Sequence, residues 1–121
     1  MLAPIVPVTF RHQQTEFPTF ALVDSGAAGA VISTTIAESL SIPWESIPAS
    51  IGFTLSGQFR SHRFDRAEAE INGSTFSLAL NIVEGISPYH CILGQADLFQ
   101  KATITFEGFR KEFEIVFRRM N

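Results

Sequence analysis

The feature that most constrains the fold is the dipeptide Asn72-Gly73, which lies between two segments of alternating polarity. Before it, Glu68 and Glu70 alternate with small or apolar residues, and after it every second residue from Phe76 to Ile82 is apolar. Asn-Gly accepts the positive φ angles of a two-residue hairpin turn, and a period of two places the apolar side chains on one face. The sequence therefore predicts a β-hairpin with one buried face.

Other short segments rich in β-branched and aromatic residues, and bounded by turn residues, predict further strands. These predicted strands are residues 4–10, 17–23, 31–32, 91–93, 102–106 and 113–117. The polar residues 11–16 suggest a loose hairpin between the first two, and Glu107-Gly108 lies between the last two. Residues 51–64 are predicted to form another hairpin, because apolar residues alternate up to a turn at Ser56-Gly57.

Helical signals are few. Thr35 and Glu38 have the spacing of a capping box, which predicts a short helix that ends at Pro43. Residues 94–101 have the length for one or two further helical turns. The chain is thus predicted to be all-β with one or two short helices.

Length and composition limit the classes of protein. The 121 residues, 45% of them apolar, suit one domain spanning residues 1–121. A net charge of −3 argues against nucleic acid as a partner, and no apolar run approaches the ~18 residues of a membrane span. The start of the chain lacks the layout of a signal peptide, and the single Cys91 forms no intramolecular disulfide. We therefore expect a cytoplasmic protein without a membrane partner. The twelve Phe residues suggest that a second subunit covers some apolar surface.

The most informative ionisable residue is Asp24, because it is the only one between positions 20 and 32. It is followed by Ser25, which can donate and accept a hydrogen bond, and by Gly26, which permits a sharp turn. Two carboxylates that face each other share one proton, and such a pair can activate water. A catalytic aspartate is one interpretation of this motif, and an Asx turn cap is the other.

Other chemistries fit the residues less well. A serine nucleophile elbow needs glycine two positions before the serine, where this chain has Val23. The residues after Gly26 do not continue to the lysine of a phosphate-binding loop. The three histidines and one cysteine show no metal-ligand spacing, so we expect no metal and no cofactor.

Two motifs resemble those of the retroviral-type aspartic proteases, or retropepsins. Residues 22–27, Leu-Val-Asp-Ser-Gly-Ala, resemble the catalytic loop of that family, and Ile92-Leu93-Gly94 resembles its second signature. The two motifs lie about seventy residues apart, which is the family spacing. The predicted hairpin 51–64 occupies the place of the flap that covers substrate. The arrangement of residues 93–99 and 103–106 resembles small cellular and bacterial members more than the viral enzymes.

The resemblance implies a closed β-barrel and an active site shared by a homodimer, with Asp24, Ser25 and Gly26 as the catalytic residues. The substrate-binding residues that it implies are Ala27, Ala28, Phe53, Leu55, Ser56, Gly57 and Ile92, with Ile51 as a further pocket wall. The viral enzymes carry an Asp–Arg pair where this chain has Ala28 and Gln95. Loss of both partners is compatible with the fold, since no charge is left unpaired.

The predicted function is that of an aspartic endopeptidase that binds extended peptides or protein segments. The alternative is the same fold without catalysis, as a dimerisation or peptide-binding module. A plain structural domain is a third interpretation, and it predicts neither cleavage nor peptide binding.

Overall fold

The computed structural model describes residues 5–24, 27, 29–55 and 57–94, together with the backbone of 102–107 and 112–117. Its strands, in chain order, are β1 Ile5–His12, β2 Thr15–Val23, β3 Ala30–Ser33, β4 Ser50–Thr54, β5 Gly57–Ile71, β6 Ser74–Val83, β7 Cys91–Leu93, β8 Ala102–Glu107 and β9 Glu112–Phe117. One α-helix, α1 Thr34–Ser39, and one 3₁₀ helix, Trp44–Ser46, lie between β3 and β4. The predicted helical turns at 94–101 lie outside the described residues, apart from Gly94.

Six strands close on themselves in the order β1-β2-β7-β3-β6-β5, because β5 returns to pair with β1. The strand β4 pairs with β5 and extends the sheet beyond this closed barrel. The strands β8 and β9 pair with each other, antiparallel. The predicted all-β closed barrel with a short helix is confirmed.

The Asn72-Gly73 hairpin forms as predicted. Ile71 pairs with Ser74, and the two turn residues have φ angles of 50° and 81°. The alternating apolar residues of β5 and β6 face the core; those buried are Ala67, Ala69, Ile71, Phe76, Leu78, Leu80 and Ile82. The predicted hairpin 51–64 and the Asn72-Gly73 hairpin share the strand β5, which continues from one to the other through a register shift between Phe64 and Ala67.

The connection between β1 and β2 is tighter than the predicted loose hairpin. His12 pairs with Thr15, which leaves a two-residue turn in which Gln13 has a φ of 55°. The polar residues that suggested a loop instead extend the strands, because Arg11 pairs with Glu16 and its guanidinium lies 2.9 Å from that carboxylate.

The predicted helix forms, but its ends differ from those predicted. The N-cap is Ser33 rather than Thr35, since the Ser33 hydroxyl accepts a hydrogen bond from the Ile36 N–H at 3.2 Å. The α-helix ends at Ser39, ahead of the predicted stop at Pro43, and Ser41 has a φ of 55°. The 3₁₀ helix follows Pro43 instead.

The core lies inside the barrel and beneath α1. Its largest fully buried side chains are Phe10, Ile32, Ile36, Leu40, Ile71, Leu80, Ile82 and Leu93. Each such side chain contributes roughly 1.5–3 kcal/mol through removal from water. Trp44, half-buried, packs against this core. Within the described part of the chain, no helix is long and apolar enough to span a membrane.

Candidate active site

Asp24 lies directly after β2, at the end of the barrel wall. Its N–H donates to the Leu93 carbonyl at 3.0 Å and so continues the parallel pairing of β2 with β7. Its own carbonyl accepts from the Ala27 N–H at 3.1 Å, which closes a turn. The first of these backbone hydrogen bonds fixes position 24 relative to the second motif, and the other fixes it within its own turn.

Gly94 explains why the second motif ends in glycine. A Cβ at this position would lie 2.5 Å from the Ala27 carbonyl oxygen and 2.9 Å from the Gly29 carbonyl oxygen. Both are backbone atoms of the segment that follows Asp24, so no side chain fits between the motifs. The structure thus packs the two predicted motifs directly against each other.

A row of apolar side chains runs across the sheet beside Asp24. Leu22 pairs with Ile92, and Ile92 pairs with Val31, so the three share one face of three adjacent strands. All three are half-buried, whereas their neighbours on the opposite face are buried: Val23, Leu93, Cys91 and Ile32. Because position 24 is two residues from Leu22, strand alternation places Asp24 on this same face.

The same face continues onto β1 with more exposed residues. Ile5 pairs with Leu22 and is 61% exposed, and Phe20, two residues before Leu22, is 65% exposed. Such contiguous apolar surface on one side of a barrel is typical of a binding or association surface. We call the five residues Ile5, Phe20, Leu22, Val31 and Ile92 the apolar face.

The hairpin of β4 and β5 carries the other predicted binding residues. Ile51, Phe53 and Leu55 are all exposed, Phe53 by 74%; the first two alternate along β4, and Leu55 directly follows that strand. The pairing of β5 with β6 begins at Ser61, so residues 57–60 of β5 pair only with β4 among the described strands. The hairpin therefore projects from the barrel with exposed apolar side chains.

Gly57, at the start of β5, has a φ of 125°, a conformation that L side chains rarely adopt. The Thr54 hydroxyl donates to the Gly57 carbonyl at 3.2 Å and closes the end of the hairpin. Of the other predicted site residues, Ala27 is half-buried, and Ser25, Gly26, Ala28 and Ser56 lie outside the described residues.

Leu22 and Val31 were not predicted as site residues. Each lies in a run whose two faces are both apolar, so alternation does not show which side chains face the core. The cross-strand register with Ile92 is what identifies them.

Cys91 is no alternative nucleophile. Burial raises the pKa of its thiol to about 12, so the thiol stays protonated near neutral pH. Among the described residues, no group of three His, Cys, Asp or Glu side chains is arranged to hold a metal ion.

Comparison with known proteins supports the fold rather than an activity. No family model matches the sequence, and no curated protein matches it either. Among solved structures, the chain is similar to the retroviral protease-like domain of Ddi1 from Leishmania major, with a TM-score of 0.68 and 18% identity. The match covers 95% of this chain and 89% of that one. The chain therefore has a retropepsin-like fold.

Proposed function

We propose that the protein is an aspartic endopeptidase, active as a homodimer in which Asp24 of each subunit contributes one carboxylate. The observation that carries this proposal is the placement of Asp24, which is held by the Leu93 carbonyl and by the turn that packs on Gly94. An aspartate that only caps a turn would not require the second motif, Ile92-Leu93-Gly94, to be packed against it. The motif occurs once in the chain, so a pair of carboxylates requires two copies.

In the proposed mechanism the two aspartates share one proton. The ionised carboxylate takes a proton from water as the water attacks the peptide carbonyl, and the protonated carboxyl donates a hydrogen bond to the carbonyl oxygen. The proton later passes to the leaving amine. The two aspartates carry both roles, so the proposal includes no cofactor.

The proposed substrate is an extended peptide bound between the apolar face and the projecting hairpin. Leu22, Val31 and Ile92 form the floor beside Asp24, and Ile51, Phe53 and Leu55 supply apolar cover. An extended strand pairs through its backbone while alternate side chains enter pockets. Apolar side chains next to the scissile bond fit this lining.

The experiment that tests the shared site uses Asp24→Asn, which keeps the shape of the side chain but does not ionise. The variant is expected to fold and dimerise, as judged by circular dichroism and light scattering, and to cleave no peptide from a library that the wild type cleaves.

Wild-type and Asp24→Asn chains are then unfolded, mixed equally and refolded. Random pairing leaves about one quarter of the activity if each site needs both aspartates, and about one half if the sites are independent. Activity near one half, or an active Asp24→Asn homodimer, would contradict the proposal. As a control, a transition-state-like hydroxyl compound is expected to inhibit peptide cleavage by the wild type.

The second candidate is a peptide-binding or dimerisation module without turnover. The observation that favours it is the exposure of Ile51 and Phe53, which offer apolar surface to a peptide whether or not Asp24 is catalytic. Wild-type protein that binds library peptides, measured by fluorescence anisotropy, but leaves them uncut would support this candidate over the first.

A further inference from the structure

A cavity of about 420 Å³ lies at the other end of β2 from Asp24. Its walls come from the β1–β2 turn, the connection between α1 and the 3₁₀ helix, and the part of β5 where the register shifts. The nine residues of β2 extend over about 25 Å, so the cavity is separate from the candidate active site. The lining residues are His12, Gln13, Ser41, Pro43, Phe64 and Arg66.

Hydrogen bonds of Thr15 and His12 hold the walls of the cavity together. The Thr15 hydroxyl lies 2.6 Å from the His12 carbonyl oxygen and 2.8 Å from the Leu40 carbonyl oxygen. The Nδ1 atom of His12 lies 2.8 Å from the same Leu40 oxygen, and because a carbonyl only accepts, Nδ1 carries a proton and donates it. The Phe64 ring packs edge-on against the imidazole with centroids 4.9 Å apart. These contacts join the β1–β2 turn to the end of α1 and to β5, so the cavity is pre-formed.

The buried ring of His12 has one nitrogen that no protein group contacts. His12 is 9% exposed, and no hydrogen bond from the described residues reaches its Nε2. Every fully buried side-chain nitrogen or oxygen in the described part of the chain has a partner, so this Nε2 must be open to the cavity that the ring lines. The other buried histidine, His62, differs, because its ring nitrogens lie 2.7 Å from the Ile47 carbonyl oxygen and 2.7 Å from a carboxylate oxygen of Glu84. The unused hydrogen-bonding capacity of His12 therefore faces the cavity.

Arg66 brings a fixed positive charge to the cavity. The register of β5 against β6 shifts between Phe64 and Ala67, so Asp65 and Arg66 form a bulge in which both are exposed. Asp65 pairs with Arg63 at 2.9 Å, and no carboxylate among the described residues pairs with Arg66. Two other cavities in the described part of the chain are lined by glutamates, whereas no carboxylate lines this one. The cavity therefore favours an anionic group.

Two residues on the rim of the cavity have left-handed backbone conformations that glycine adopts at lower cost. Gln13 and Ser41 each have a φ of 55°. Gln13 lies in the two-residue turn between β1 and β2, and Ser41 directly follows the C-cap of α1, where helices commonly have glycine. Neither side chain has a hydrogen-bond partner among the described residues. Each position thus offers a polar side chain to a ligand, and Ser41→Gly removes one of them without adding backbone strain.

We propose that this cavity binds the free C-terminal residue of a peptide whose last side chain is apolar. The planar guanidinium of Arg66 pairs with both carboxylate oxygens, so that one positive charge meets one negative charge. Because His12 donates through Nδ1, the Nε2 atom of the neutral ring accepts a hydrogen bond from the N–H of the bound residue. The Ser41 hydroxyl donates to the carboxylate, and the rings of Pro43 and Phe64 contact the apolar side chain. A volume of about 420 Å³ suits a ligand of this size.

The experiment is a titration of the ¹⁵N-labelled full chain with N-acetylleucine at about pH 8, where an ordinary imidazole is neutral. Saturable shifts of the backbone amides are expected at Gln13, Ser41 and Arg66, with a dissociation constant of about 1 mM or lower. Shifts centred on Leu22 and Ile92 would place the ligand at the candidate active site and overturn the proposal. Absence of saturation up to about 20 mM would overturn it as well.

Related compounds test the chemical class of the ligand. N-acetylleucinamide has nearly the same shape without the charge, and it is expected to bind about tenfold more weakly or worse. N-acetyl-N-methylleucine lacks the N–H that His12 accepts, and it is expected to bind about threefold more weakly or worse. Inorganic phosphate is expected not to displace N-acetylleucine at equal concentration. Equal binding of either compound, or displacement by phosphate, would contradict the proposal.

Three variants assign the contacts. Arg66→Gln is expected to weaken binding of N-acetylleucine about tenfold or more and to bind the acid and the amide equally, because the charge pair is already lost. Arg60→Gln, the control, removes another exposed arginine of β5 that pairs with Glu84 and does not line the cavity, and binding is expected to stay within about twofold of wild type. Ser41→Gly is expected to weaken binding about threefold while the midpoint of urea unfolding stays unchanged or rises. An Arg66→Gln variant that still prefers the acid to the amide would overturn the proposal.

None of these measurements uses peptide cleavage. A protein that cleaves no peptide therefore leaves the carboxylate site standing, and failure of N-acetylleucine to bind leaves the proposed role of Asp24 standing.

Discussion

Replacement of Gly94 by alanine tests how closely the two motifs are packed. Gly94 has no positive φ, so alanine is compatible with its backbone conformation and only space opposes the substitution. The new Cβ would lie 2.5 Å from the Ala27 carbonyl oxygen, and real Cβ atoms essentially never approach within 3.0 Å of another atom. The overlap is with backbone, so the segment after Asp24 must move by about half an ångström or more.

Overpacking of this kind costs about 1–3 kcal/mol in the free energy of unfolding. With a urea m-value of about 2 kcal/mol/M, the unfolding midpoint falls by about 0.5–1.5 M. Peptide cleavage is expected to fall further than stability alone explains, because the displaced segment begins at Asp24. Urea unfolding followed by fluorescence measures the first effect, and kcat/KM at a pH where the variant is fully folded measures the second.

The control is Gly52→Ala in β4. Its Cβ would overlap the ring of Phe59 even more closely, but only at the far end of a half-exposed side chain, which can rotate away. Gly52→Ala is therefore expected to change the free energy of unfolding by less than about 0.5 kcal/mol. A Gly94→Ala variant as stable as Gly52→Ala would refute the argument that backbone packing between the motifs requires glycine.

Three further predictions concern other parts of the chain. Burial raises the pKa of the Cys91 thiol from its ordinary 9.0 to about 12, so the thiol is expected to resist a thiol-reactive disulfide reagent at pH 8 in the native protein and to react fully in urea. Because only the unfolded chain forms thiolate readily, the free energy of unfolding is expected to fall as the pH rises above 9.0. Ser33→Ala removes the N-cap hydrogen bond and is expected to cost about 0.5–2 kcal/mol in urea unfolding, whereas Thr35→Ala, inside the helix, costs less. If the Asp24 carboxylates share a proton, the rate of peptide cleavage follows a bell-shaped pH profile on the acid side of neutrality, and a flat profile into alkaline pH would contradict that sharing.

The hairpins were predictable from the sequence because their signals are local. Asn72-Gly73 sets the turn, and the alternation on both sides sets the buried face. The closure of the barrel was not predictable in this way, since it depends on the pairing of Thr9 with Glu70, more than fifty residues away. Nothing in the local pattern of either strand identifies its partner.

The helix start shows a second limit of local reasoning. Ser33, Thr34 and Thr35 are consecutive, and each has a hydroxyl that is able to cap a helix. The capping-box pattern selected Thr35, but Ser33 is the residue that ends β3 with extended backbone. Its hydroxyl also donates to the Pro88 carbonyl at 2.6 Å, a tertiary contact that the sequence does not reveal.

The candidate site was predictable only in part. The two motifs identified Asp24, Gly94 and Ile92 through their spacing. Leu22 and Val31 required the register of three strands, because their segments are apolar on both faces. The contact of His62 with Glu84 was also out of reach, since the two residues lie twenty-two positions apart and neither belongs to a motif.

The proposed cleft has a floor and a cover that are attached to the molecule in different ways. Asp24 continues the pairing of β2 with β7, and the buried Val23 and Leu93 lie on the other face of those strands. Residues 57–60 of the hairpin pair only with β4 among the described strands, and the apolar side chains of the hairpin are exposed. If the proposed cleft binds peptide, substitutions in the floor are therefore expected to alter stability and binding together, whereas substitutions in the cover are expected to alter binding alone.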